Sequence, residues 1–430
     1  MPEKPQIINA IENGAFDGAL RTLYGNKNGV TKKQKIRYLS VIDNFGKHFP
    51  EHGDVDMFSA PGRTEVGGNH TDHNGGRVLA AAIDLDALAA AAKNGGDTVR
   101  VYSEGYPPVA TDLNRLVPDA SEKYTSAALV RGVCARMKEL GHSIGGFDAY
   151  VASDVLKGSG LSSSAAYEVL IATILNHLFN GGDIDTIHIA QIAQYAENRF
   201  FGKPCGLMDM TTCAAGGFVT IDFKDFENPV VDKVDFDFLN SGYAMVIVET
   251  GGDHAGLNDD YAAIENEMKS VARYLGGRVL REFSPVAVIN NIAGLRDETG
   301  DRAILRALHF YADDARVEGQ VRALKTGDFH KFMELVIESG HSSWTLCQNC
   351  YLSRSPRVQG VTLALAASER VLGGKGAWRV HGGGFAGTIQ TFVPENMLRE
   401  YTAAMKAIFG ANACYELIVR PYGSIKLEII

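Results

Sequence analysis

The chain has few cysteines, six in 430 residues, too sparse for a disulfide-stapled scaffold. Cys347 and Cys350 form one C-x-x-C with no second pair near it. A structural zinc site there would lack half its ligands, so buried or part-exposed thiols are expected. No apolar run is long enough to cross a bilayer. The stretch from Met1 to Asn28 is polar, patterned like helix, and without an apolar signal core. A cytoplasmic setting with no membrane partner is therefore expected. Basic charge is also scarce: 42 Lys and Arg stand against 51 Asp and Glu, a formal net charge of -9. That excludes general nucleic-acid affinity, and any phosphate site has to be built locally. Also missing are internal repeats, low-complexity tracts, a Gly-Lys-Ser/Thr phosphate loop and the spaced glycines of a dinucleotide fold.

What is present is an ordinary soluble-globular composition, 45% hydrophobic and 22% charged, in a chain long enough for two domains. One stretch organises the rest: Lys157-Gly158-Ser159-Gly160-Leu161-Ser162-Ser163-Ser164-Ala165-Ala166. Glycines let backbone approach a ligand closely. Serines cap helices, and the first amides of a helix are free to hold an anion. The apolar segment Ala165 to Phe179 follows as a helix, and Asp148 to Val151 precedes it as a strand. Strand, Gly/Ser loop and helix in that order suit a phosphate cradle. The plainer reading is a turn that only caps the helix.

Along the chain, Pro5 to Phe49 reads as helices, with Leu20, Leu23, Ile36, Leu39, Ile42 and Phe45 at helical spacing and breaks at Gly25 and Gly29. Met57 to Gly76 carries too many polar residues for a core strand and too many glycines for a helix. It reads as a Gly-rich loop holding Arg63, His70 and Asp72. Val78 to Ala92 is small and apolar, one or two buried strands, and Val99 to Tyr102 alternates as another. Helices are expected over Thr125 to Leu140 and over Thr186 to Phe200, the latter carrying Glu197. Asp209 stands among apolar neighbours, either partnered in a site or capping a short helix to Ala215. Gly217 to Phe223 and Ala244 to Val248 read as strands. His254 to Tyr274 reads as a helix with Leu257, Tyr261, Ile264 and Met268 on one face. Gly382 to Gly384 lie between two strand-like pieces, either wrapping a ligand or turning a plain hairpin.

Four segments, three of them glycine-rich, stand in an order that resembles the GHMP small-molecule kinases, and within them the galactokinase branch. The matching segments are Ala60-Pro61-Gly62-Arg63 through His70-Thr71-Asp72 and Asn74-Gly75-Gly76; Gly160 to Ala166; Pro204-Cys205-Gly206-Leu207-Met208-Asp209; and His381 to Gly387. The resemblance runs from about residue 58 to the C-terminus. It implies an α/β (α+β) two-domain fold: an N-terminal domain like ribosomal protein S5 and a C-terminal GHMP domain, with the site in the cleft between them. The expected division is a helical extension over 1–50, a first domain over 51–230 and a second over 231–430. The two glycine-bearing loops should face each other.

The resemblance also implies roles. Asp209 matches the base toward a sugar's anomeric hydroxyl, and Arg63 the arginine beside it. Gly158, Ser159, Gly160, Leu161, Ser162, Ser163, Ser164 and Ala165 match the ATP phosphate cradle, and Ser164 and Glu197 the Mg²⁺ ligands. His70, Asp72, Gly206 and Tyr261 match positions lining the sugar, with Arg63 and Asp209. Phosphoryl transfer from ATP to the C1 hydroxyl of galactose is the implied activity, in a monomer whose partners are the sugar and ATP. One departure bears on the sugar. Asn69 stands where the family has a glutamate at the C6 end, so a C6-altered sugar such as galacturonate or arabinose is the alternative. A non-catalytic sugar sensor is a second alternative, opposed by the intact Ala165-Ala166 and Asp209. Mevalonate and homoserine kinases lack the His-Thr-Asp segment.

Overall fold

A computed structural model describes residues 2–156, 160–252 and 256–428. The chain opens with helices α1 (Lys4–Glu12), α2 (Asp17–Tyr24) and α3 (Val30–His48). The breaks fall at Gly25 and Gly29, both at positive φ, 84° and 85°, a conformation that glycine enters without a Cβ penalty. Leu20, Leu23, Ile42 and Phe45 are buried, but Ile36 is 61% exposed. The inward face of α3 is instead set by Gln34, Tyr38, Val41, Ile42 and Phe45, the i, i+4, i+7, i+8, i+11 stripe of a helix packed on one side.

These helices lie on a large sheet. Strands β1 (Asp56–Gly67) and β2 (Arg77–Lys93) pair antiparallel, followed by β3 (Thr98–Ser103), β4 (Val109–Asp112), helix α4 (Ser126–Glu139) and β5 (Phe147–Ser153). The segment expected as a loop is therefore largely strand, and the expected one or two strands are a single one of 17 residues. β1 accommodates its Pro61 and Gly62 at a register shift between Pro61 and Arg63, since proline is tolerated in sheets at bulges. There the Arg63 amide donates to Leu161 O at 3.1 Å, outside the ladder. The polar side chains of β1 are satisfied from elsewhere in the chain, which is why the polarity misled.

β2 is the spine. Its side chains alternate across the sheet, and both faces are buried. Ala87, Ala89 and Ala91 pack in the core beneath the central helices. Leu88, Ala90 and Ala92 pack with Tyr38, Ile42 and Phe45 of the N-terminal helices. The central helices are α5 (Ser163–Phe179), α6 (Thr186–Ala196), continued by a π turn over Glu197–Phe201, and α7 (Met208–Ala215). Strands β6 (Phe218–Asp222) and β7 (Val230–Val234) extend the sheet from the other end of β2.

A second, four-stranded sheet begins at β8 (Tyr243–Glu249). Helices α8 (Asn258–Tyr274), α9 (Pro285–Asn290), α10 (Ile292–Glu298), α11 (Asp301–Lys325), α12 (Phe329–Ser342) and α13 (Gly360–Leu372) follow, then β9 (Ala377–Val380), β10 (Thr388–Pro394), α14 (Leu398–Phe409), β11 (Cys414–Leu417) and β12 (Ile425–Leu427). The small sheet has the order β11-β8-β10-β9. β12 leaves it and pairs with β1, Met57 opposite Leu427. Residues 230–234 and 425–427 thus lie in the large sheet. Cys347 and Cys350 are buried free thiols in two different cores. Among the described residues no helix is long and apolar enough to cross a membrane. The two sides of α3 should answer differently to truncation. Phe45→Ala is expected to cost about 3–5 kcal/mol of unfolding free energy and Ile36→Ala less than about 0.5, read as urea midpoints.

Candidate active site

The serine loop delivers its residues as the strand–loop–helix order requires, β5 on one side and α5 on the other. Lys157, Gly158 and Ser159 lie outside the described residues. Gly160 has φ +76°, and Leu161 is buried with its carbonyl on Arg63 N. Ser162 precedes the first turn of α5 at φ 59° and makes no capping bond. Its hydroxyl donates instead to Asp209 Oδ2. Ser163, Ser164 and Ala165 open the first helical turn, no N-cap side chain takes up their amides, and amides so placed can hold an anion.

Asp209 is the second residue of α7, and Arg63 of β1 grips it from across the chain. Arg63 Nε donates to Oδ1 at 2.7 Å and Nη2 lies 2.6 Å from Oδ2, the two-pronged geometry that suits guanidinium and carboxylate. The third guanidinium nitrogen, Nη1, donates to Gly160 O. Burial works against the charge on Arg63, but Asp209 overrides it and raises the arginine above its ordinary range. Asp72 is nearby: a Cβ on Gly206 would meet Asp72 Oδ2 at 3.7 Å. Burial raises the Asp72 carboxyl, with His70 opposing and Asp209 adding to the rise.

A second cluster lies at the first turn of α5. Ser164 Oγ donates to Glu197 Oε1 at 3.0 Å. Glu197 opens the π turn after α6, is 1% exposed, and receives Lys203 Nζ at 3.3 Å. Lys203 had no sequence signal. Glu168 did have one, as the only charged residue of α5. Burial, and then Glu197, push its carboxyl well above the usual range.

The third cluster is the glycine run. Gly160 packs against His381, where an added Cβ would meet Cε1 at 3.2 Å, so the two loops face each other. His70 (φ 57°) places Nε2 3.0 Å from Gly383 O. Tyr261 donates to Gly384 O at 3.0 Å, and its ring leaves no room for a side chain at Gly383, whose Cβ would come within 2.5 Å. Burial pushes the Tyr261 hydroxyl up to about 12.

Asn69, expected at the sugar's C6 end, is held within the protein. It is 1% exposed. Its Nδ2 donates to Glu65 Oε1 at 3.1 Å and to Gly382 O at 2.8 Å. Its Oδ1 accepts from Asn349 Nδ2 at 2.8 Å and Ser343 Oγ at 3.2 Å. A carboxamide has two donors and two acceptor sites, and all four are used inside the protein. The Asn69 carboxamide is thus turned to protein partners on all four sites. Glu65, paired with the buried Arg379 at 2.6 Å, Ser343 and Asn349 are the partners that pattern reading missed.

Residues 128–217 match the family described as GHMP kinases N terminal domain, and residues 43–93 match the galactokinase galactose-binding signature. Fold and site together define a GHMP-type small-molecule kinase. The structure of Lactococcus lactis galactokinase complexed with galactose superposes with a TM-score of 0.75 at 25% identity, over 90% of this chain and all of that one. Methanococcus jannaschii mevalonate kinase shares the fold, with TM-score 0.60 and 16% identity over 86% of this chain and 99% of that one. Galactokinase from Streptomyces coelicolor is 30% identical over 360 residues, 83% of this chain and 89% of its own length. The chain belongs to the galactokinase family.

The Asn69 network should be sensitive to charge. Asn69→Asp sets a carboxylate oxygen against the Glu65 and Gly382 acceptors. It is expected to lower stability by about 1–3 kcal/mol, the range for leaving buried polar groups unserved, measured by urea unfolding.

Proposed function

We propose that the chain transfers the γ-phosphoryl group of ATP to the C1 hydroxyl of galactose. The observation that carries this reading is the Arg63–Asp209–Ser162 arrangement at the mouth of the serine loop, in a chain of this family. Asp209 receives three donors from Arg63 and Ser162. A carboxylate has about four lone-pair sites, so one remains to take the proton of the sugar hydroxyl. A positioned base is what hydroxyl activation requires. The free amides of Ser163 to Ala165 suit the phosphates, which need charge neutralisation and alignment more than covalent chemistry.

The oxygen-only donors Ser164 and Glu197, with unserved Glu168 oxygens beside them, fit Mg²⁺, which takes few protein ligands and keeps waters. Bound there, the ion would neutralise charge on the phosphates. His70, Asp72, Gly206 and Tyr261 are our sugar-lining residues, and the two-domain division stays as our reading of the two sheets. With Asn69 fully engaged, nothing at that position favours a C6-altered sugar, so galactose is the substrate. A panel of galactose, galacturonate, arabinose and mevalonate with an ADP-release readout tests this. Galactose should give the highest kcat/KM, and a preference for galacturonate would overturn the choice.

Asp209→Asn should bind both substrates nearly as well but lose turnover, because an amide cannot accept the proton. Arg63→Ala should lower turnover by about 2–4 kcal/mol of barrier, as in other preorganised sites. Isothermal binding beside steady-state kinetics separates the two effects. Substantial turnover in Asp209→Asn would remove the base from this position.

A further inference from the structure

Glu168 stands one turn after Ser164 on α5 and has no assigned role. Its side chain is fully buried, 0% exposed. Neither carboxylate oxygen has a hydrogen-bond partner among the described residues. A polar group buried without a partner is costly, so this acid points to a ligand that arrives.

The surroundings identify it. Helical side chains lean toward the helix N-terminus, so Glu168 covers the turn that carries Ser164. Ser164 already faces Glu197, across from α5 on the π turn. The charges acting on Glu168 are those of Glu197, Lys203 and Asp209, all from the candidate site. Lys203 is the cation among them, but its ammonium bonds Glu197 and its side chain is 56% exposed. It leaves the Glu168 oxygens unserved. A hydroxyl and two carboxyl groups form an all-oxygen set suited to a hard divalent cation. Mg²⁺ retains several waters, and those waters need acceptors beyond the direct ligands.

We propose that Glu168 is the outer acceptor of the magnesium site, taking hydrogen bonds from water on an ion held by Ser164 and Glu197 and so strengthening metal binding. The proposal rests on the metal reading given above. Glu168 is a positioning residue, since it acts through the ion's water and not on substrate.

The test uses the full-length protein with Mn²⁺ as probe, saturating ADP and no turnover, with free Mn²⁺ followed by electron paramagnetic resonance. Glu168→Gln should weaken Mn²⁺ binding by about tenfold or more, while ADP affinity in EDTA and galactose affinity stay at wild-type values. Glu197→Gln is measured beside it. If Glu197→Gln weakens Mn²⁺ binding and Glu168→Gln leaves it unchanged, the proposal is overturned and Glu168 is a packing residue. If neither variant changes it, the Ser164–Glu197 metal reading fails and the proposal with it. Where Glu168→Gln does not fold, Glu168→Asp replaces it, keeping the carboxyl group but withdrawing it by one methylene. Weaker Mn²⁺ binding with unchanged ADP affinity then supports the proposal, and unchanged Mn²⁺ binding overturns it.

Discussion

The carboxylate of Asp209 and the guanidinium of Arg63 meet in two hydrogen bonds, and each partner holds a different part of the chain in place. Arg63 belongs to β1, and its free edge also fastens Gly160 of the serine loop. Asp209 belongs to α7 and takes the hydroxyl of Ser162. Strand, loop and helix therefore converge on one mostly buried ion pair. Removing one member of such a pair leaves an uncompensated charge, which is far costlier than the pair's net contribution. The cost of keeping a charge here is offset by function, because the same contacts that settle the pair also aim the carboxylate.

A second polar junction joins the two sheets. Thr64 of β1 meets His381 Nε2 at 2.9 Å, and His381 Nδ1 meets Thr388 Oγ1 at 2.9 Å. Burial, with Arg63 and Arg379 close by, pushes His381 down to about 3, so the ring is neutral and bridges as one donor and one acceptor. Beside it Glu65 pairs with Arg379, and Asn69 joins Glu65, Gly382, Ser343 and Asn349. Ser343 opens a π turn after α12, as Glu197 does after α6. Such turns re-aim single side chains within a helix and recur at functional sites.

Polar residues in β1 are tolerated because this junction serves them. The alanines of β2 are needed for the complementary reason. Two helical layers close on opposite faces of one strand, and small side chains let both approach without voids.

By itself the sequence determined the N-terminal helices, the strand–serine loop–helix unit and the family. Each of these is a local pattern: periodicity, a glycine break, or a motif of adjacent residues. The roles it suggested for Arg63, Asp209, Ser164 and Glu197 rest on positions that the fold then brings within hydrogen-bond reach. Only the tertiary structure decided what the polar residues of residues 57–69 do. Their partners, Arg379, His381, Ser343 and Asn349, come from some 270 to 320 residues further along the chain, and no local pattern encodes such a pairing. For the same reason Asn69 looked available for a ligand: its four hydrogen bonds become visible only once the second sheet is laid against the first.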